Sequence, residues 1–344
     1  MKKLLLLPLL VIVSFCSYSN SAMPGLWNAG ANGKFVPLFA SDSIYFGKIQ
    51  MQHEQVLVNL YSGFAVVKGE YYMYNSTDQP INMHVAYPRQ ARYSDTIISN
   101  VIPSYIDGLK VLVNDNPTDL MRKKDAAFEN EMNTANPGMK SITGQEDYDN
   151  WFVWKMSFAP KAFTKITVYF LTDNSHGNLR KGYSSDKGSA FSYVLESGRA
   201  WGGSIDSGKI CIQLKDGLTT KDVKAVLPAK ALKGDATHLL YQFVNKEPTE
   251  KDNLLVWYKK ADDDSSFEKK IVPEAAKYYA EIDQFNVAEF SNASFTTLQL
   301  NDLEIHSTNP LTWIFIGFIA LGALVLFMMI YGIYRWIKRM NRAK

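Results

Sequence analysis

Cysteine is nearly absent from this chain: Cys16 and Cys211 are the only two in 344 residues. Cys16 falls in an N-terminal segment that reads as a removable leader, so the mature chain keeps one thiol and closes no internal disulfide. Cys211 lies in the apolar run Lys-Ile-Cys-Ile-Gln-Leu, where a thiol packs as a small apolar group and not as a nucleophile. The five histidines, His53, His84, His176, His238 and His306, are scattered and form no HExxH, HxH or CxxC-paired arrangement. Nothing therefore points to zinc or to any other cofactor. Walker A, GxSxG and dinucleotide-type glycine patterns are also missing. Charge of one sign is scarce, with 37 Lys+Arg against 34 Asp+Glu. Two of the basic residues stand at the N-terminus and five in the last ten residues, leaving 30 basic against 34 acidic between them. Nothing in that balance points to nucleic-acid binding.

One stretch lacks charge altogether. Residues 311–334 read LTWIFIGFIALGALVLFMMIYGIY and are followed by RWIKRMNRAK. About 20 apolar residues cross a hydrocarbon core as a helix, so a transmembrane helix is expected at 311–334. Trp313 near one end and Tyr331, Tyr334 and Trp336 near the other suit the two interfaces. Arg335, Lys338, Arg339, Arg342 and Lys344 make 335–344 a basic cytoplasmic tail by the positive-inside rule. Gly317 and Gly322 are five apart and make no GxxxG, so the segment carries no dimerisation signal of that kind. At the other terminus, Lys2 and Lys3 precede an apolar run from Leu4 to Phe15, and Ser19 and Ser21 occupy small-residue positions before a cut. Residues 1–21 are the expected signal peptide. Phe15 before Cys16 does not suit lipidation. The expectation is a single-pass protein of a bacterial cytoplasmic (inner) membrane, its ectodomain outside and its C-terminus inside.

The ectodomain favours strands. Short runs rich in Val, Ile, Tyr and Phe are broken by Gly, Asn, Asp and Pro. Strands are expected at 43–51, 55–61, 64–75, 81–87, 96–102, 109–113, 151–158, 165–171, 191–195, 209–214, 223–226, 238–243 and 253–258. In 64–75, Ala65, Val67, Gly69, Tyr71 and Met73 share one face, and 75–80 is a turn from which 81–87 returns. Residues 114–150 break the rhythm and read as an exposed, partly helical insertion. Residues 265–285 form the best helix candidate, with Pro273 disturbing its first turns, and 290–305 returns to strand-like alternation. The fold class is mainly β: an antiparallel β-sandwich ectodomain with a helical insertion, plus one C-terminal transmembrane helix. The segments are 22–175 as an N-terminal sandwich, 176–260 as a second β-rich half, and 261–310 leading to a short stalk at Ser307-Thr308-Asn309-Pro310.

Four stretches carry a resemblance. The first holds Ile49, Met51, Glu54, Val56 and Val58, then Val67, Tyr71, Asn75, Thr77 and Asp78, then Val85-Ala86-Tyr87-Pro88. The second is the Trp154-Lys155 strand with Val168. The third reads Tyr193, Leu195, Ser197-Gly198, Trp201, Gly203, Ile205, and the fourth runs from Tyr241 through Asn245, Glu247-Pro248-Thr249 to Asp252-Asn253. Together they resemble an uncharacterised family of secreted or membrane-anchored bacterial β-sandwich proteins. The resemblance implies a secreted sandwich and no particular activity.

Few residues invite chemistry. Trp201, between Gly198 and Gly203, is either a corner residue tucked under a turn or an exposed platform for a sugar or peptide; it is the candidate ligand-binding residue. Asp173 with His176 lacks a nucleophile and reads as a polar loop. The acidic runs Asp262-Asp263-Asp264 and Glu146-Asp147-Tyr148-Asp149 lack the spacing of an EF-hand calcium loop, though they could take calcium weakly. With no catalytic constellation, the expected function is non-enzymatic: an envelope protein presenting its sandwich for binding or scaffolding, with an envelope protein partner engaged through 114–150 and no nucleic acid. The alternative is a membrane-tethered hydrolase of envelope glycans or peptides using Glu196 and Asp206 as paired carboxylates.

Overall fold

The computed structural model describes residues 40–45, 47–88, 105–121, 151–175, 177–181, 184–193, 201–227, 232–249, 252–258, 267–292 and 295–298, with isolated residues at 25–26, 36–37, 195, 198, 301–302, 328 and 331. The chain divides into two compact units, Met1–Leu303 and Glu304–Lys344. The expected signal peptide lies outside the described residues, as do residues 96–102 and all of 311–334 apart from Met328 and Tyr331. Among the described residues no helix is long and apolar enough to cross a membrane.

The first unit is mainly β. Its strands are β1 (Gly25–Leu26), β2 (Val36–Pro37), β3 (Ile49–Leu60), β4 (Phe64–Asn75), β5 (Ile81–Pro88), β6 (Tyr105–Val113), β7 (Asn116–Thr118), β8 (Trp151–Phe158) and β9 (Phe163–Asp173). There follow β10 (Gly177–Lys181), β11 (Ser184–Tyr193), β12 (Ile205–Leu214), β13 (Val223–Leu227), β14 (Leu232–Gly234), β15 (His238–Lys246) and β16 (Leu254–Tyr258). Helices α1 (Ala275–Ile282) and α2 (Val287–Asn292) precede β17 (Thr296–Thr297) and β18 (Asn301–Asp302). One nine-stranded sheet runs β17-β14-β15-β12-β3-β4-β9-β6-β7. A five-stranded sheet, β10-β11-β16-β13-β18, and the pair β5-β8 form the facing layer, and one apolar core joins them to the large sheet. Strands from both sides of residue 175 share the large sheet, because β12 lies between β3 and β15. The β3–β12 pair is parallel, as is β13–β18; the remaining pairs of the two large sheets are antiparallel.

Alternation explains the core. On β4, Ala65, Val67, Tyr71 and Met73 all enter the inter-sheet core, as their spacing predicts. On β3 the inward set changes parity: Ile49 and Met51 point inward, then a bulge between Met51 and His53 shifts the register so that Glu54, Val56, Val58 and Leu60 take over. Among the described residues the opposite face of the large sheet is only partly covered. A helical run from a π turn (Phe267–Ile271) through a 3-10 turn (Val272–Glu274, with Pro273) into α1 lies on it, and Phe267, Tyr279, Ile282 and Phe290 pack there on Leu57, Val66, Tyr169, Leu171, Cys211 and Leu240. Pro273 can donate no backbone hydrogen bond, which suits the irregular first turns.

Four expectations are corrected. Of residues 43–51 only Ile49–Met51 are strand: Ala40–Tyr45 is a 3-10 turn, and β3 starts at Ile49 and continues through the second expected strand. The turn holds because the buried Asp42 accepts bonds from the His84 backbone (3.0 Å) and ring Nδ1 (2.7 Å). Residues 81–87 form a strand that does not return along β4; β4 already has β3 and β9 on its two edges, so β5 crosses to the other layer and pairs with β8. Asn75, fully buried, steers that crossing by donating to Gln79 O (2.9 Å) and to Phe158 O at the end of β8 (3.2 Å). Residues 290–305 hold the end of α2 and two two-residue strands in place of one alternating strand. The start of the 114–150 insertion is sheet: Asn114 and Asp115, both at positive φ, turn β6 into β7, and Met121 bridges Val153. Residues 122–150 lie outside the described residues.

Candidate functional site

Strand parity puts an acid where the core expects an apolar residue. Glu54, only 3% exposed, follows the β3 bulge and stands opposite Tyr71 on β4. Tyr193 at the end of β11 donates its hydroxyl proton to Glu54 Oε1 at 2.6 Å. The Tyr71 hydroxyl is 2.8 Å from that of Tyr193; with the Tyr193 proton committed to Glu54, Tyr71 is the donor of this bond. Tyr87 on β5 bonds to the same hydroxyls from the third sheet. Four strands from three sheets thus converge on one carboxyl group.

The electrostatics follow from burial. Loss of water pushes the Glu54 carboxyl up to about 7, against a smaller downward pull from the Tyr193 hydrogen bond. Burial likewise holds Tyr71, Tyr87 and Tyr193 well above the usual phenol range, so they act as hydrogen-bond donors and not as bases. Tyr241 on β15 feels the same carboxyl, and it is itself held by Lys246 (3.3 Å), which pairs with Asp252 (2.5 Å). This arrangement can store or release one proton near neutrality inside the sandwich.

Other polar constellations fasten parts of the chain. Asn174 accepts from Thr172 Oγ1 (2.9 Å) and donates to the Tyr258 hydroxyl (3.2 Å), which donates to Tyr61 O (2.9 Å). The Tyr61 hydroxyl donates to Glu281 (2.9 Å), Tyr169 and Lys68 each donate to Asp283 (2.8 Å), and the Tyr279 hydroxyl donates to Gly108 O (2.5 Å), so α1 is clasped to the sheet. His238 lies 3.0 Å from Asp235 and 3.7 Å from Glu289, against Phe290 and Phe295, and ties α2 to β15.

The residues singled out from the sequence land as follows. Trp201 is 4% exposed, with its ring edge toward Phe158 at 6.3 Å between centroids. It occupies a corner: its backbone N–H bonds Gly198 O (3.1 Å), Gly202 N–H bonds Ile49 O (2.7 Å), and Gly203 takes φ +73°. A Cβ on Gly202 would strike the Gly47 carbonyl. A stacking platform needs an exposed ring face, whereas Trp201 is packed under this corner. Asp206 is exposed on β12, and Glu196 lies outside the described residues. Asp173 caps its own turn through Ser175 N–H (2.9 Å) and Oγ (2.6 Å); His176, His306 and both acidic runs lie outside the described residues. Cys211 is buried, and burial pushes its thiol up to about 11. Among the described residues no group of three or more His, Cys, Asp or Glu side chains could hold a metal ion. Sequence reasoning missed the tyrosine–glutamate cluster. Glu54 among Val56, Val58 and Leu60 was a visible breach of alternation, but the tyrosines that meet it come from positions 17 to 139 residues away.

No family model and no curated protein sequence matches the chain. Among solved structures, a protein from Legionella pneumophila whose description proposes nutrient binding is similar at a TM-score of 0.38 and 12% identity, covering 68% of this chain and 79% of its own. An M1 zinc metallopeptidase from Deinococcus radiodurans is similar at a TM-score of 0.32 and 6% identity, over 62% of this chain. The chain spans less than half of that peptidase, 43%. At such scores neither likeness bears on what the chain does.

Proposed function

We propose that the chain is a single-pass envelope protein that presents a β-sandwich ectodomain for binding or scaffolding, without chemistry of its own. One observation carries the reading: the first compact unit ends at Leu303, and the sequence that follows holds Ser307–Pro310 and the charge-free run 311–334 with its basic residues. A folded body, a short tether and an apolar span in that order are the parts of a display protein.

The partner is an envelope protein, engaged through 122–150, the part of the insertion beyond the β6–β7 hairpin. In-cell crosslinking of tagged full-length protein tests this against a variant lacking 122–150 only, which spares β7 and the Met121 bridge. The expected result is one specific envelope partner captured by the full chain and lost from the variant, with both chains equally retained in membranes. Equal capture by both moves the contact elsewhere, and an absence of any specific partner removes the scaffolding reading.

A further inference from the structure

The two ends of the sandwich differ. At the Leu60 end, where β3 finishes, the outer face of the large sheet is covered by α1 through Tyr61, Lys68 and Tyr169. Among the described residues the Ile49 end has no such cover. There β3, β9 and β12 begin while β4 and β15 finish, so one row across the sheet reads Val244, Ser207, His53, Tyr72 and Lys165. Tyr74 and Phe163 form the next step of the same face, with rings 5.0 Å apart. In the described part of the first unit the large exposed apolar side chains are Val244 (76%), Ile44 (62%), Phe163 (53%) and Tyr72 (36%). Three of them stand on this face at the Ile49 end, and Ile44 lies in the Ala40–Tyr45 turn, five residues before Ile49. Isolated exposed apolar groups need no explanation, but a collection confined to one end does.

The path of the chain supplies the occupant. β16 begins at the Ile49 end, since Leu254 pairs with Tyr193 just before the Trp201 corner. β13 is antiparallel to β16 and β18 is parallel to β13, so β18 runs toward the Ile49 end. Asp302 pairs beside Val226, one step from the Leu227–Leu255 pair that closes this end. Nine residues later the apolar run begins at Leu311, a reach of about 30 Å at full extension. β18, the last described strand of the first unit, therefore points toward the end that gathers the exposed apolar residues.

We propose that the Ile49 end of the sandwich, through Val244, Ile44, Phe163 and Tyr72, rests on the outer interface of the bilayer that holds the anchor. The inference rests on the membrane-anchored reading above. Aromatic and aliphatic groups partition into the interfacial zone, where tyrosine keeps its hydroxyl wet. Charge at this end is mixed, with the exposed Lys48 and Lys161 beside the exposed Asp78 and Asp206, so the contact is apolar and indifferent to lipid charge.

The test uses full-length protein in phosphatidylcholine vesicles. In a Cys16→Ser background, Val244→Cys and, separately, Ile44→Cys carry a fluorophore, with Ser62→Cys at the Leu60 end as control; native Cys211 is buried and does not compete. Vesicles contain lipid bearing a nitroxide quencher near the headgroup. Quenching several-fold stronger at 244 and 44 than at 62, unchanged when a fifth of the lipid is phosphatidylglycerol, is expected. Equal quenching at all three sites, in protein that resists alkaline carbonate extraction, overturns the contact and leaves the anchor intact. Release by carbonate overturns both.

Discussion

Glu54 occupies a position that strand alternation assigns to the core, and the bulge before it is what turns it inward. Its carboxyl sits near 7 in the folded chain against 4.5 when exposed. Between those values the folded chain keeps a proton that the unfolded chain has lost, so the contribution to stability is full below about pH 4.5, falls as pH rises, and is gone above about 7. At about 1.4 kcal/mol per unit the fall is on the order of 3 kcal/mol. Urea midpoints of the full chain and of Glu54→Gln between pH 5 and 8 should separate, the parent losing stability and the variant holding level; parallel slopes would count against the buried proton. Tyr193→Phe removes the bond that lowers the Glu54 value, so its window should move upward while stability drops by about 1–2 kcal/mol. Cys211 offers a second check at this scale. Its raised, buried thiol should react with a disulfide reagent only as fast as the chain unfolds, and rapid labelling of native protein would place that strand at the surface.

Among elements, α1 has the clearest division of labour. Ile282 is fully buried beneath it, whereas Asp283 is nearly half exposed while holding Lys68 and Tyr169. Apolar packing outweighs exposed ion pairing, so Ile282→Ala should cost about 2–4 kcal/mol and Asp283→Ala no more than about 1; thermal melts of the two variants decide the order. The elements also show how far a sequence can be read. Strands 64–75 and 151–158 match β4 and β8 residue for residue, because alternation and flanking turns are local signals. Partners are not local. Nothing in 81–87 says that its neighbour is β8, a choice made by the edges that β4 has already filled and by Asn75 reaching Phe158. The 3-10 turn at 40–45 was hidden for a similar reason, since it hangs on a bond from Asp42 to His84, forty-two residues away. The irregular helix at 267–282 was legible because its periodicity and Pro273 are both written locally. The candidate site split along the same line: Trp201 between its glycines signals a corner, while the Glu54 cluster needs four strands to be seen.

At the scale of the molecule, one sheet carries strands from residue 49 to residue 297, and its middle is the parallel junction of β3 with β12. Both halves of the chain depend on that junction, so a truncation ending before Ile205 should not yield a stable sandwich; cooperative melting of such a fragment would show that residues 49–173 fold independently. The same junction sets a schedule. The β3–β4 hairpin can close as soon as it is made, but the other edge of β3 waits for Ser207, which meets His53 across 154 residues. At synthesis rates of about 5–20 residues per second, that edge stands open for roughly 8–30 s. It is long, its residues Val56, Leu57 and Val58 are apolar, and an unpaired strand of that kind recruits any chain beside it. The birth of this protein thus contains an interval of exposure measured in seconds, and a cell that makes it in quantity needs something to shield β3 until β12 arrives.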